Sequence, residues 1–353
     1  MTALRIRGLQ AHYGGQPVLR DIQFDLESGD YACLLGRSGS GKSTLLAAVA
    51  GFVRPHAGQI TLDGETICDP TQSIDRPPHQ RGLGMVFQDA NLWPHLDVMD
   101  NILFPMRARK LPADHRWAEE LLDRVGLAGY ARRKPATLSG GQRQRVAICR
   151  ALAARPRLVL LDEPLSAVDG PTREELQSYL QTLFSETRTT ALHVTHDPSE
   201  AFALGQHVAV LEQGRIVQWG APATVYREPS NDIVAGLTGR FRSVPVKVDF
   251  VDDNNHARFT FDGRAWQAPA HPSLRTGPAR LLLRPEAVRV HAQAGAWRVR
   301  KHRFEAGLFH VEVEHPGGDR IQGVSPIDLT LDAVSIDLVS EHCWLIPADN
   351  HPA

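Results

Sequence analysis

The sequence predicts an α/β domain built on a largely parallel sheet, followed by a small all-β domain, and three observations carry that prediction. Up to about residue 240, short apolar runs alternate with longer helical patterns, the order that gives a parallel sheet covered by helices. Beyond it the period drops to two, with turn residues between the runs. A glycine-rich loop, Gly36–Thr44, joins one apolar run to a helix.

The strand candidates are Tyr31–Leu35, Gly84–Phe87, Leu158–Leu161, Ala191–Thr195 and Val208–Glu212, several of them apolar throughout. Lys42–Ala50 consists of good helix formers. Between Phe87 and Ser139 the pattern is more helical, with Ala113–Val125 its clearest member, and reads as a helical insertion spanning about 89–155 together with the helix that follows it. In the C-terminal part Val244, Val246, Val248 and Phe250 alternate with polar residues, as do Phe259 and Phe261, then Phe309, Val311 and Val313. Asp252–Asn255, Asp262-Gly263 and Pro316-Gly317-Gly318 supply the turns, which gives a sandwich or small OB-like barrel. Tyr226–Arg240, with Pro229 and the breakers Asn231, Gly236 and Gly239, is the expected junction, so the expected domains are 1–239 and 240–353.

Composition excludes several classes. The 353 residues hold 39 Lys+Arg against 40 Asp+Glu, a formal charge of −1, which argues against a sequence-independent nucleic-acid binder. The longest apolar run, Leu45–Val53, is about half of the ~20 residues that span a bilayer. The opening Met-Thr-Ala-Leu-Arg passes directly into strand-like alternation, so no signal peptide is expected. Cys33, Cys68, Cys149 and Cys343 are scattered without a Cys-x-x-Cys pair, which indicates neither zinc nor a disulfide framework and suits a reducing cytoplasm. The 16 His show no ligand spacing and are expected mostly at the surface.

Gly36-Arg37-Ser38-Gly39-Ser40-Gly41-Lys42-Ser43-Thr44 satisfies Gly-x4-Gly-Lys-[Ser/Thr] between a strand and a helix. Its glycines let backbone N–H groups wrap a polyphosphate, and the helix N-terminus adds roughly half a positive charge there. Lys42 is placed to reach the β and γ phosphates and the Ser43 hydroxyl to ligate Mg²⁺. The apolar strand Leu158–Leu161 ends in Asp162-Glu163, at the strand edge where ligands of open α/β sheets sit. Neighbouring strand residues face opposite ways, so Asp162 is assigned to the hydrated Mg²⁺ and Glu163 to the attacking water. Gln88 and His196 end two further strands at the same edge and read as γ-phosphate and water-positioning residues, Gln88 also as a metal ligand. Leu138-Ser139-Gly140-Gly141-Gln142 opens another helix with an N-cap serine and two glycines, a second anion site separated from Lys42 by the insertion. One nucleotide does not obviously reach both within one chain, so two chains arranged head to tail are the economical solution.

These residues together resemble the nucleotide-binding subunit of ATP-binding cassette (ABC) transporters. The phosphate loop, Gln88, Leu138–Gln142, Leu158–Glu163, Ser166-Ala167-Val168-Asp169 and His196 stand in that family's order and spacing over about residues 4–238. The resemblance implies a P-loop NTPase cassette in which two subunits enclose two ATP with Mg²⁺, and in which Leu138–Gln142 close over the partner's γ-phosphate. It also implies that Tyr13 stacks on adenine and that Asp169 lies at the dimer interface, although Val168 replaces the commoner Leu. Leu283-Arg284-Pro285-Glu286 resembles part of the β-barrel regulatory domain of bacterial importers, a dimer buttress or a sensor. Arg81–Gln88 and Leu92-Trp93-Pro94-His95-Leu96 look closest to the iron(III), thiamine, polyamine and phosphonate group. In that group Gln88–Leu96 form a groove for a membrane permease, and Trp93 is either an exposed anchor there or a core residue. The expectation is an ATPase on the cytoplasmic face of the inner membrane, serving permease subunits and indirectly an extracytoplasmic solute-binding protein, without nucleic acid. Iron(III) or a similar small ion is the leading solute, with polyamine, thiamine, phosphonate, sulfate or sugar as alternatives. A non-transport ABC ATPase is the rival class.

Overall fold

The computed structural model describes residues 2–13, 15–166, 168, 170–293, 295–329 and 333–348. The chain divides into two compact units, Met1–Pro222 and Ala223–Ala353. The first unit opens with β1 (Thr2–Tyr13), β2 (Gln16–Glu27), β3 (Tyr31–Leu35) and α1 (Lys42–Ala50). β4 (Ala57–Leu62), β5 (Glu65–Asp69), β6 (Ile74–Asp75) and β7 (Leu83–Val86) follow. The insertion carries α2 (Val98–Ala108) and α3 (His115–Arg124) and leads into α4 (Gly140–Ala153). β8 (Leu158–Asp162), α5 (Gly170–Thr187), β9 (Ala191–Thr195), α6 (Pro198–Leu204), β10 (His207–Glu212) and β11 (Arg215–Gly220) complete it.

The central sheet runs β11-β10-β3-β9-β8-β7, parallel from β10 to β7. The second sheet, β2-β1-β4-β5-β6, is antiparallel. Leu45, Leu46, Ala48 and Val49 of α1 share one apolar core with Leu4, Ile6 and Ile60 of one sheet and Leu34, Leu160, Leu192 and Leu211 of the other. A helix enclosed by two sheets keeps little solvent face beyond its first turn, which explains why α1 is apolar almost all round. Its C-terminal carbonyls are held by a buried cation: Arg81 Nη1 donates to Ala48 O at 2.8 Å and to Val49 O at 2.9 Å. Arg81 Nε and Nη2 donate to Arg76 O (2.7 Å) and to Asp75 Oδ1 (2.9 Å), so this guanidinium, 1% exposed, is nearly saturated. The insertion helices start at side-chain caps, Asp97 for α2 and Asp114 for α3.

Ahead of its strands the second unit holds α7 (Pro222–Arg227), whose first residue ends unit one, and α8 (Asp232–Thr238). β12 (Arg242–Val251), β13 (His256–Phe261), β14 (Arg264–Pro269), β15 (Gly277–Leu283), β16 (Val288–His291), β17 (Arg298–Glu305), β18 (Leu308–Glu314), β19 (Arg320–Ser325), β20 (Ser335–Leu338) and β21 (Trp344–Pro347) form two sheets, β14-β13-β12-β15-β21 and β17-β18-β19-β16-β20. Val244, Val248, Phe259 and Leu281 of one share a core with Val290, Val311, Val313 and Ile336 of the other. The period-two pattern fails at Phe250, which is 49% exposed. The β12–β13 register shifts between Val248 and Phe250, and this bulge turns the ring outward, where Arg258 lies 5.6 Å over it. Arg284 is a clamp. It donates to Tyr226 O from Nη2 (2.8 Å) and Nε (3.1 Å) and to Thr238 Oγ1 (2.8 Å), fastening the segment 226–238 to β15.

His193, expected with the other histidines at the surface, is instead wholly buried in β9, with Nδ1 2.9 Å from Tyr31 Oη. Desolvation pulls its pKa from 6.5 down to about 3. The unfolded chain therefore takes up the proton first. Stability owed to the neutral ring is complete above 6.5 and lost as pH falls toward 3. In this window His193→Phe is expected to flatten the pH dependence of unfolding free energy by about 1.4 kcal/mol per unit, measured by urea unfolding at pH 5.5 and pH 4.5. Arg81→Ala removes four hydrogen bonds, leaving Asp75 with Arg54 at 3.7 Å and Ala48 O with the Gly51 N–H, and is expected to cost about 2–3 kcal/mol in the same assay. An unchanged denaturation midpoint would contradict its role.

Candidate functional site

The parallel register places four strand ends together. β3 pairs with β9 through Leu35↔Thr195, β9 with β8 through Val194↔Asp162, and β8 with β7 through Leu161↔Val86. The loop after β3, the carboxylates after β8, His196 after β9 and Gln88, two residues beyond β7, thus share one edge. Strand β7 ends at Val86, one residue earlier than the apolar run suggested.

Each loop glycine has a separate reason. A Cβ on Gly36 would lie 2.3 Å from Leu211 O, so only glycine passes beside β10. Gly39 and Gly41 take φ of 81° and 108°, the left-handed region. Gly41 is the N-cap of α1 and offers no side-chain acceptor, leaving the first N–H groups of the helix to an anion. Ser40 Oγ is buried with no hydrogen-bond partner among the described residues. Lys42 Nζ donates to Gly36 O at 2.8 Å and Arg37 O at 3.0 Å, so the ammonium sits inside the loop's own curve. Burial lowers the Lys42 pKa, opposed by the nearby Glu163 and Asp162 charges. Arg37, Ser38 and Gly39 form the exposed tip, and Thr44 is half-buried in the first turn of α1.

Ser43 Oγ donates to Asp162 Oδ1 at 3.1 Å. Desolvation raises the Asp162 pKa, while the Ser43 hydrogen bond lowers it. Glu163 has φ of 45°, left-handed for a non-glycine residue, although its N–H still donates to Val194 O at 3.0 Å. That turn carries its carboxylate away from Asp162, and Oε2 meets His196 Nδ1 at 3.1 Å. Two adjacent acids therefore serve two partners, Asp162 on the hydroxyl of α1 and Glu163 on the imidazole.

Ser139 caps α4 in a reciprocal box: Gln142 N donates to Ser139 Oγ (3.2 Å) and Ser139 N to Gln142 Oε1 (3.0 Å). The helix begins at Gly140 rather than Gln142. Ser139 and Gly140 are exposed, whereas Leu138 and Gly141 are buried. Among the described residues the hydrogen bonds of Leu138–Gln142 stay within that segment and its flanks, and none reaches Gly36–Thr44. The side chain of Tyr13 and the residue Asp169, both expected at this site, lie outside the described residues. Trp93 is half-buried, tilted at 35° against Phe104 with 4.0 Å between ring centres, and the Arg150 guanidinium lies 4.9 Å over its ring. Arg150 also donates to Asn91 O (2.7 Å) and Ala90 O (2.8 Å), which ties the segment after Gln88 to α4. Sequence reading missed Arg173, Thr195 and Glu200 as members of the site. Only the α6 start, Asp197-Pro198, carried a readable signal, an N-cap followed by proline.

A glycine loop feeding a helix, an oxygen pair at its first turn and a carboxylate–imidazole pair on the same sheet edge define a P-loop nucleoside triphosphatase. Residues 19–166 match the family described as ABC transporter. The chain is 43% identical over 290 residues to an Fe(3+) ions import ATP-binding protein of Streptomyces avermitilis, covering 81% of this chain and 80% of that one. It is 38% identical to a sulfate/thiosulfate import ATP-binding protein of Mesorhizobium japonicum, covering 90% of each. A spermidine/putrescine import ATP-binding protein of Nitrosomonas europaea is 38% identical, covering 83% and 81%. Among solved structures, a dimeric bacterial ABC transporter cassette superposes with a TM-score of 0.54 at 30% identity, over 62% of this chain and 98% of that one. The chain belongs to the ABC transporter family, as an ATP-hydrolysing subunit of its import systems.

Proposed function

We propose that the chain works as a homodimer on the cytoplasmic face of the inner membrane, driving import through permease subunits fed by an extracytoplasmic solute-binding protein. The observation that carries the reading is the pairing of Ser43 with Asp162 beside that of Glu163 with His196, two polar pairs on one strand edge beneath the phosphate loop. Among the described residues no helix is long and apolar enough to cross a membrane, which fits a peripheral subunit.

In this reading the triphosphate lies along Gly36–Thr44, with Tyr13 beside the adenine. Lys42 exchanges its two loop carbonyls for phosphate oxygens, and the free N–H groups of α1 and Ser40 Oγ complete the cradle. The Ser43 hydroxyl and Asp162 carboxylate are adjacent hard oxygen donors and would hold Mg²⁺ with phosphate oxygens and water, Gln88 adding an amide oxygen. Mg²⁺, when bound, offsets the charge of the phosphates. Glu163, held by His196, orients the attacking water, and His196 steadies the γ-phosphate. Positioning outweighs proton abstraction where the transition state is loose and the attacking water carries little charge.

The Leu138–Gln142 segment, which makes no hydrogen bond to its own chain's loop, would close over the partner's nucleotide, with Asp169 at the interface. A solved structure of a similar cassette, 29% identical with a TM-score of 0.53, is a dimer bound to ADP and Pi, which supports pairing of two copies. Contacts that need a γ-phosphate let ATP and ADP bias the open and closed dimers differently. The segment from Gln88 to Leu96, pinned by Arg150, would pass this change to the permease. We assign residues 1–239 to nucleotide chemistry and 240–353 to dimerisation or regulation. Iron(III) or a similar small ion is the solute favoured by the 43% identical relative, with polyamine or sulfate as the second reading.

Glu163→Gln keeps the shape of the site and removes the carboxylate. It is expected to retain ATP affinity while turnover falls by on the order of 10²-fold or more, read as phosphate release beside equilibrium ATP binding. Turnover near the parent's would remove Glu163 from that role.

A further inference from the structure

Glu200 sits in the first turn of α6, four residues after His196, and is a carboxylate only 3% exposed. Its Oε2 accepts from Thr195 Oγ1 at 2.6 Å, and the same hydroxyl oxygen accepts from Asp197 N at 3.0 Å. One hydroxyl therefore fixes the backbone on both sides of His196. Because it donates to the carboxylate, its lone pairs are left for the Asp197 N–H, so Glu200 sets the direction of the bond.

Arg173, on α5, reaches the same corner. Its Nη1 is 3.6 Å from Asp197 Oδ2 and its Nε 3.9 Å from Glu200 Oε1. Its Nη2 donates to Val168 O at 3.1 Å, in the loop that starts at Glu163. Ser166 closes that loop, donating from N (3.2 Å) and Oγ (2.8 Å) to Glu163 O. Behind Glu200, His193 Nε2 stands 4.0 Å from Oε2, and Tyr31 holds the other ring nitrogen at 2.9 Å. A carboxylate buried this deeply is costly unless its bonds serve a geometry. Here the Thr195 and Arg173 contacts converge on the two loops that carry Glu163 and His196.

We infer that Glu200, acting through Thr195 and braced by Arg173, is a positioning residue that holds His196 against Glu163. Its carboxylate is 3% exposed and reaches His196 only through Thr195. The inference rests on the reading of His196 as a member of the hydrolytic site. An apolar side chain of the same size would fill the space but would leave the Thr195 hydroxyl free to rotate and His196 free to leave the 3.1 Å contact.

The test uses the 353-residue chain and measures kcat and KM for ATP together with thermal unfolding. Thr195→Val removes only the hydroxyl and is expected to lower kcat about tenfold or more, since small misplacements near the chemistry have large effects, with KM for ATP unchanged. Thr195→Ser restores the hydroxyl and is expected to restore kcat. In a His196→Ala background Thr195→Val is expected to cost less than about twofold further, because its effect passes through a residue already removed. Should Thr195→Val not fold, Glu200→Gln preserves volume and carries the same cycle with the same expected non-additivity. Normal kcat in a folded Thr195→Val or Glu200→Gln chain overturns the inference, as does the same fractional loss with and without His196. Normal kcat in His196→Ala alone overturns the site reading instead, and the inference with it.

Discussion

Everything at the candidate site depends on the parallel pairing of β3, β9, β8 and β7. Backbone hydrogen bonds between consecutive strands set Leu35 level with Thr195 and Val194 level with Asp162. The loop, the Ser43–Asp162 oxygens and the carboxylate–imidazole pair are thereby brought level, and two side-chain contacts, Ser43 to Asp162 and Glu163 to His196, complete the alignment. A slip of one residue in β8 would exchange the faces of Asp162 and Leu161, placing a carboxylate in the core. That slip is resisted because both faces of the strand are covered, Leu158, Val159, Leu160 and Leu161 being fully buried, so the displaced Asp162 would lose water without gaining a partner.

The edge is polar enough to need support from buried charges elsewhere. Lys42, Arg81 and Glu200 are almost inaccessible, and each has a different compensation. Lys42 uses loop carbonyls that a phosphate can replace, which keeps the ammonium ready at the cost of a lowered pKa. Arg81 uses the C-terminal carbonyls of α1, so the helix that presents its N-terminus to the ligand is fixed at its far end. Glu200 uses Thr195, and burial still raises its pKa. In all three the group that offsets burial belongs to an element of the site, so stability and site geometry are coupled.

Much of this was legible in the sequence, because it is written locally. The phosphate loop, the strands ending at Asp162 and at Thr195 and the Ser139 box are runs of adjacent residues whose spacing carries the mechanism. Features depending on tertiary geometry were not legible. The left-handed turn at Glu163 separates two acids by a backbone device that no residue type announces. The bulge after Val248 reverses Phe250 within a run whose period is otherwise regular. His193 looked like one more polar residue in a histidine-rich chain, and only the covering of both faces of β9 makes it a core residue. Arg173 lies a full loop beyond Glu163, and its meeting with Asp197 and Val168 arises from the packing of α5 beside α6.

The central claim is that the site assembled on this edge is half of a working one, completed by Ser139–Gln142 of a second copy. Its most direct test mixes two inactive chains, Lys42→Ala and Ser139→Arg, carrying different affinity tags, and assays ATP hydrolysis by doubly purified heterodimers. Pairing places both lesions in one composite site and leaves the other with an intact Lys42 and an intact Ser139, so hydrolysis returns. Heterodimers that form and stay as inactive as either parent would contradict the account.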